Sequence, residues 1–476
     1  MKNTGVIFLL TIIQLCNGGL SAQEKHISKA QQPKVLIGLV VDQMRWDYLY
    51  RFQHHYGNGG FKRLMTEGFN YENAFIPYAS SVTATGHASI YTGAYPFFHG
   101  IVGNEWVDRT TGKYVYCTDD STVVGVGGTS KQGMMSPANL LSTTIGDELK
   151  FSNNFQSRIF GISLKDRGGI FPAGRTGDAA YWLEDSSGNW ITSTWYMDQL
   201  PVWVRNFNER RTIDSMMREG WNLAKPVSAY QLYRSDENDF EVPISQSNTT
   251  HFPHQLNSFI RKNYNPFRST PMGNTFTLNF AKSLIKEEQL GKGDFTDILC
   301  ISLSSTDYIG HKFGTHSLEI EDTYIRLDAD LAAFLLFLDE SIGKGNYTLF
   351  LSADHGAPPS PDFLKTKKVN AGNINNYALT RVIASHLEKK FGVAGLVTHY
   401  FDYQFYLNTA LIKSKGLKRS DVSKAIIDYL NEKPEVEMAF DYADFNTTIL
   451  PQSVRDMFAK GYHPKRSGDI QVILQP

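Results

Sequence analysis

The stretch SSVTATGHASIYTG, residues 80–93, sets seven hydroxyl side chains around one imidazole, His87. A hydroxyl there either caps a helix or attacks a substrate, and an alcohol needs a base or a metal ion to attack near neutral pH. Groups able to help recur at four other points. Asp42 closes KVLIGLVVD, Lys165 and Arg167 stand in SLKDR, Asp307 and His311 in SSTDYIGH, and Asp354 and His355 in SADHG. Carboxylates crowded together need cations, and a mixed Asp/His set suits a divalent metal such as zinc. Asp307 and His311, four apart, fall on one face of a helical turn. Lys165 and Arg167, two apart on an extended segment, point to one side and suit a dianionic phosphoryl group. Each signal is weak alone: Asp42 serves equally well as a helix cap, and spacing does not separate Thr83 from Thr85 or Ser81.

The clusters gain weight from where they sit. Each follows a short apolar run bounded by turn residues, at 34–42, 157–165, 296–305 and 346–354, with a fifth such run at 468–475. These read as buried parallel strands. Between two of them, Ile320, Tyr324, Leu327, Leu331, Phe334, Leu335 and Leu338 recur at helical spacing. Strand–helix–strand alternation predicts an α/β fold, a doubly wound, mostly parallel sheet with helices on both faces. Such sheets bind ligands beyond the carboxyl ends of their strands, where the charged residues collect. A helix starting near Thr83 would aim backbone N–H groups at an anion there. Residues 201–275 and 361–445 read as insertions forming a cap or side lobe. The core then comprises 33–200, 276–360 and 446–476.

The 476 residues carry 47 Lys and Arg against 48 Asp and Glu, a net charge of -1, so nothing suggests an electrostatic nucleic-acid binder. Hydrophobic residues make up 41% and charged ones 20%, an ordinary globular composition with room for a large core. Lys2, the apolar run at 6–15 and the small residues at 18–22 predict a secretory signal over residues 1–22, too short to span a bilayer. The mature chain is expected in the periplasm or medium, without stable membrane insertion. Of three cysteines, Cys16 leaves with the signal, and Cys300, inside an apolar run, is expected to be a buried free thiol.

The motifs LVVDQMRWDYL, TATGHASIYTG, HGIVGNEW, SLKDR, STDYIGH, SADHG and GYHPKRSGDI, in this order over nearly the whole chain from residue 34, resemble the phosphate-irrepressible alkaline phosphatases of the alkaline phosphatase superfamily. The resemblance implies a monomeric bacterial enzyme that hydrolyses small-molecule phosphate monoesters with two Zn2+ per chain. By motif, Thr83 is the nucleophile and becomes phosphorylated. One zinc would be held by Asp42, Asp354, His355 and the Thr83 oxygen, the other by Asp307, His311 and one further His. Asn104, Lys165 and Arg167 would donate to phosphoryl oxygens, and His87 would be structural support. The family's last His ligand follows the KRSGDI strand and falls past Pro476. The chain is therefore expected to be C-terminally truncated, with weak binding of one zinc and impaired catalysis. His463 precedes that strand and does not match the ligand position. Two rival readings remain: a nucleotide pyrophosphatase/phosphodiesterase of the same superfamily, against which the Lys165–Arg167 pair argues, and a non-catalytic remnant that binds phosphate or zinc.

Overall fold

Alternation along the first apolar run divides it between two faces of a sheet. The computed structural model describes residues 32–230, 240–245 and 249–475. The leader expected at residues 1–22, with Cys16, lies outside the described residues. Strand β1 (Val35–Val41) turns Val35, Ile37, Leu39 and Val41 into one large apolar cluster. It turns Val40 and Leu36 into a second cluster on the opposite face, beside Tyr91 and Cys300.

The hairpin β2 (Glu105–Val107) and β3 (Tyr114–Tyr116) forms a two-stranded sheet of its own. The main sheet has seven strands: β1, β4 (Gly125–Val126), β5 (Ile159–Ser163), β6 (Ala179–Leu183), β7 (Trp190–Ser193), β8 (Asp297–Leu303) and β9 (Tyr347–Ser352), in the order β4-β7-β6-β5-β8-β1-β9. The pairs from β6 to β9 are parallel, while β7 runs antiparallel to both β6 and β4. The mostly parallel α/β architecture expected from the sequence is the one found.

Helices cover both faces. Helix α1 (Thr83–Thr92) places Tyr91 in the smaller cluster, and α2 (Asp166–Ala173) packs Ile170 and Ala173 against Ala180 and Trp182 of β6. On the other face lie α3 (Met272–Glu287) and α5 (Leu318–Leu338), with α4 (Ser305–Phe313) between them in the chain. All seven apolar positions read from the sequence of α5 are buried, and Ser317 caps the helix by accepting from the Ile320 N–H. Each buried Leu, Ile or Phe of that stripe contributes about 1.5–3 kcal/mol. Within 201–275, Val204, Phe207, Ile213, Met217, Trp221 and Leu256 belong to the same large cluster as β1.

A second sheet, antiparallel, has four strands in the order β10-β11-β13-β12: β10 (Val397–Phe401), β11 (Gln404–Leu407), β12 (Val436–Asp441) and β13 (Ile470–Leu474). Here the structure corrects the sequence reading. The run at 468–475, expected as a parallel strand of the main core, pairs antiparallel with β11 and β12 instead. Its Ile470 and Val472 join Leu387, Phe405, Ile426 and Leu430 in a separate apolar cluster. A short apolar run reports burial but not which sheet buries it. Cys117 and Cys300 are both free and buried, as expected for Cys300.

Candidate active site

Strand register levels the carboxyl ends of the central strands. Val41 is opposite Leu303, Val40 opposite Ser352, and Ser163 opposite Ser302. The residues just past those ends therefore meet: Asp42 after β1, Lys165 after β5, Asp307 after β8, and Asp354 with His355 after β9. Asp42, Asp307 and His355, all buried, bring their ligand atoms within 4.8 Å of one another. His355 Nε2 is 3.4 Å from Asp42 Oδ1, 3.8 Å from Asp354 Oδ2 and 4.0 Å from Asp307 Oδ1. His311 Nε2 reaches Asp307 Oδ1 at 3.2 Å from the same helix, but 71% of its side chain is exposed, so it stands at the open side of the group.

Thr83 begins α1 and its side chain is buried. It is the first helical residue, not the cap; Val82 occupies the cap position with no side-chain bond, so the helix-cap role considered for a hydroxyl here is not Thr83's. The hydroxyl instead accepts from Lys165 Nζ at 3.1 Å. Close approach of α1 to the carboxylates at the strand ends depends on Gly86, where a Cβ would lie 2.3 Å from the Asp354 carbonyl oxygen. One residue on, His87 Nδ1 sits 2.9 Å from the Thr83 carbonyl and 3.2 Å from Asp354 Oδ2, and Nε2 meets Ser302 Oγ at 2.9 Å. Asn104 Oδ1 accepts from the Ala84 N–H at 3.1 Å, which leaves Nδ2 as its donor.

Lys165 and Arg167 part company. The extended segment expected there is the start of a helix, with Lys165 at the cap position of α2 and Arg167 in its first turn. Lys165 keeps extended dihedrals while Arg167 is helical, so the alternation of a continuous strand is broken between them. Lys165 Nζ donates to Asp42 Oδ2 at 2.7 Å and Asp307 Oδ2 at 2.6 Å, while Arg167 donates to the Tyr116 hydroxyl at 2.8 Å. Both still line one cavity of about 200 Å³, together with Tyr116, Asp185, Arg268 and Tyr308. Arg167 Nε is buried with no hydrogen-bond partner.

The electrostatics follow from burial set against crowding. Burial works against the Lys165 charge, but Asp42 and Asp307 outweigh it and raise its pKa above the ordinary value. Burial and Asp42 push Asp307 up, yet Lys165 and His311 bring it below the usual range. Burial likewise opposes ionisation of Asp354, and the His355 and His87 rings overcome it. His355 is pulled down by burial and up by Asp354 and Asp42, ending at about 10. A divalent cation arriving there displaces a proton.

These residues fit a metal ion. Asp42 Oδ1 and Asp354 Oδ2 are buried oxygens that face imidazole nitrogens, His355 Nε2 at 3.4 Å and His87 Nδ1 at 3.2 Å, without a well-formed hydrogen bond. His355 Nδ1 is held at 2.9 Å by the Gly356 carbonyl, which turns Nε2 toward the carboxylates. That is the usual arrangement behind a ligating imidazole. Three residues at the site had no sequence signal of their own. Gln43 donates to Asp354 and Asp307, Tyr116 orients Arg167, and Tyr308 presents its ring 4.9 Å from Lys165 Nζ. Only the adjacency of Gln43 to Asp42 and of Tyr308 to Asp307 could have drawn attention to them.

Residues 36–476 match the family described as type I phosphodiesterase / nucleotide pyrophosphatase. Over 451 residues the chain is 48% identical to a Myroides odoratus protein described as a calcium-transporting ATPase, covering 94% of this chain and 82% of the other. It is 45% identical over 443 residues to alkaline phosphatase PhoV of Synechococcus elongatus, covering 93% and 80%. A crystal structure of alkaline phosphatase PafA superimposes with a TM-score of 0.91 at 41% identity, over 93% of this chain and 85% of that one.

Proposed function

The chain belongs to the type I phosphodiesterase / nucleotide pyrophosphatase family within the alkaline phosphatase superfamily, and on that premise we propose that it is a zinc-dependent alkaline phosphatase working through a phosphothreonine. The observation that carries the proposal is the Thr83 hydroxyl. It is buried at a helix start, 3.1 Å from a lysine whose ammonium also bonds Asp42 and Asp307. The relatives are named differently, but an ATPase and an alkaline phosphatase both cleave a phosphorus–oxygen bond.

Asp42, Asp354 and His355 would hold one zinc beside Thr83, and Asp307 with His311 would supply ligands to a second. Bound there, zinc lowers the pKa of a coordinated hydroxyl and neutralises charge on attacking and leaving oxygens. The chain's own residues do the rest. Thr83 Oγ gives up its proton and attacks phosphorus, the bond to the ester oxygen breaks, and that oxygen takes a proton from water and leaves as the alcohol. Water then cleaves the phosphothreonine from the opposite side, releasing phosphate and restoring Thr83. Lys165 turns from the carboxylates to a phosphoryl oxygen, and the unpartnered Nε of Arg167 and Nδ2 of Asn104 are further donors. Catalysis of this kind is positioning plus charge stabilisation. The apolar run at residues 6–15 supports export. No helix among the described residues is long and apolar enough to cross a membrane.

The family's name keeps the diester reading in play, and substrate charge separates the two. A monoester dianion matches the Lys165 and Arg167 cations better than a diester monoanion does. Rates on p-nitrophenyl phosphate and bis(p-nitrophenyl) phosphate, with and without a chelator, decide it. Faster turnover of the monoester, lost on chelation and reduced at least ~1000-fold in Thr83→Ala, is the expected result. Preference for the diester sinks the monoesterase assignment, and retained activity in Thr83→Ala sinks the nucleophile.

A further inference from the structure

Gln43 follows Asp42, is buried, and has a φ of +64°. A residue with a Cβ occupies that left-handed region at a cost of about 1–3 kcal/mol, so something must hold it there. Two hydrogen bonds leave it in different directions. Its backbone N–H donates to Asp354 Oδ1 at 3.1 Å, and its side-chain Nε2 donates to Asp307 Oδ1 at 2.7 Å.

Both bonds fix how a carboxylate is turned. Asp354 Oδ1 accepts from Gln43 and from the His355 N–H, which turns Oδ2 toward the His87 and His355 rings, at 3.2 and 3.8 Å. Asp307 Oδ1 accepts from Gln43 while facing His311 Nε2 at 3.2 Å, and its Oδ2 accepts from Lys165. The helix that carries Asp307 and His311 makes room for this contact at Gly310, where a Cβ would come within 1.9 Å of Gln43 Oε1. We propose that Gln43 is a positioning residue that ties the Asp42/Asp354/His355 subsite to the Asp307/His311 subsite and fixes the orientation of both carboxylates. The left-handed backbone is what lets one residue serve both, with its N–H on the aspartate that follows β9 and its amide on that of α4. Outer hydrogen bonds of this kind commonly change metal affinity by about 10–100-fold.

This inference rests on the two-metal reading above, and its test separates the two. Gln43→Gly keeps the backbone conformation at no steric cost and keeps the N–H, but removes the amide. Gly310→Ala keeps the amide and displaces it. Metal-stripped protein is titrated with Co2+, following visible absorption and equilibrium dialysis. The expected result is two equivalents for wild type. Gln43→Gly should bind one with unchanged affinity and the other at least ~10-fold more weakly, and Gly310→Ala should behave the same way. If both variants bind two equivalents as wild type does, Gln43 has no such role. If both equivalents weaken to the same extent, the variant acts through general packing and the proposal is equally overturned. A wild-type protein that does not take two equivalents overturns the two-metal reading, and this inference with it.

Discussion

Lys165 Nζ lies 2.6 Å from Asp307 Oδ2, and the same ammonium reaches Asp42 Oδ2 at 2.7 Å. Both carboxylates and the lysine are buried. Lys165 therefore supplies the charge that a divalent ion would otherwise supply, and the two compete. Removing one partner of a buried ion pair costs about 3–5 kcal/mol. Lys165→Ala is expected to lower the unfolding temperature of chelator-treated protein and, at the same time, to raise zinc affinity. Inorganic phosphate draws the ammonium away from the aspartates, so it should tighten zinc binding in wild type and not in the variant. Calorimetric zinc titrations with and without phosphate check this; weaker zinc binding in Lys165→Ala refutes the competition.

Asn104 has one end of its amide engaged in structure, and the proposed mechanism uses the other. Oδ1 secures the Ala84 N–H in the first turn of α1, and Nδ2 remains to donate. Asn104→Ala loses both functions, and removal of one such donor costs about 100–1000-fold in turnover. Asn104→Asp keeps the acceptor for Ala84 but places a negative charge beside a dianionic substrate. It should retain the wild-type circular dichroism spectrum and lose more kcat/KM on monoesters than the alanine variant. Equal kinetics of Asn104→Asp and wild type would remove Asn104 from the site.

His87 braces the start of α1 behind Thr83. Its ring is fully buried and bridges the Thr83 carbonyl, Asp354 and Ser302. His87→Leu leaves those buried groups short of a partner, at about 1–3 kcal/mol for each group stranded. The expected outcome is a lower denaturation midpoint in urea with an unchanged m-value, partly recovered in His87→Gln. A midpoint equal to wild type in His87→Leu means the ring is not a brace.

What the sequence revealed tracks what local patterns encode. The strand-end aspartates were legible because each terminates an apolar run, and the 3.6-residue stripe of α5 was legible because helical periodicity is local. The side sheet was not, since the run at 468–475 carries no mark of its partners and pairs with strands more than sixty residues upstream in β11 and about thirty upstream in β12. Lys165 and Arg167 were found as a basic pair, but their divergence required knowing that α2 starts at Asp166. Gln43 escaped because its role depends on a positive φ and on a glycine in α4, neither of which has a spacing to detect.

Asp402 connects the side sheet to the loop that carries Asn104 and makes that junction sensitive to pH. It sits between β10 and β11, and a Cβ at Gly103 would lie 2.3 Å from its Oδ2, so the carboxyl packs directly against the residue before Asn104. Burial, reinforced by the Glu105 charge, pushes its pKa up from 3.8 to about 7. Below the ordinary value the carboxyl is protonated whether or not the chain is folded, and it costs nothing. Between there and about 7 the unfolded chain ionises while the folded one keeps its proton, so stability drains away as pH rises, by at most about 1.4 kcal/mol per pH unit. Asp402→Asn carries no such proton. Urea unfolding of both proteins between pH 4 and 8 isolates the effect of this carboxyl together with its coupling to Glu105. The variant's advantage should grow through that window and level off above about 7. An advantage that does not change with pH would mean the carboxyl ionises normally in the folded chain.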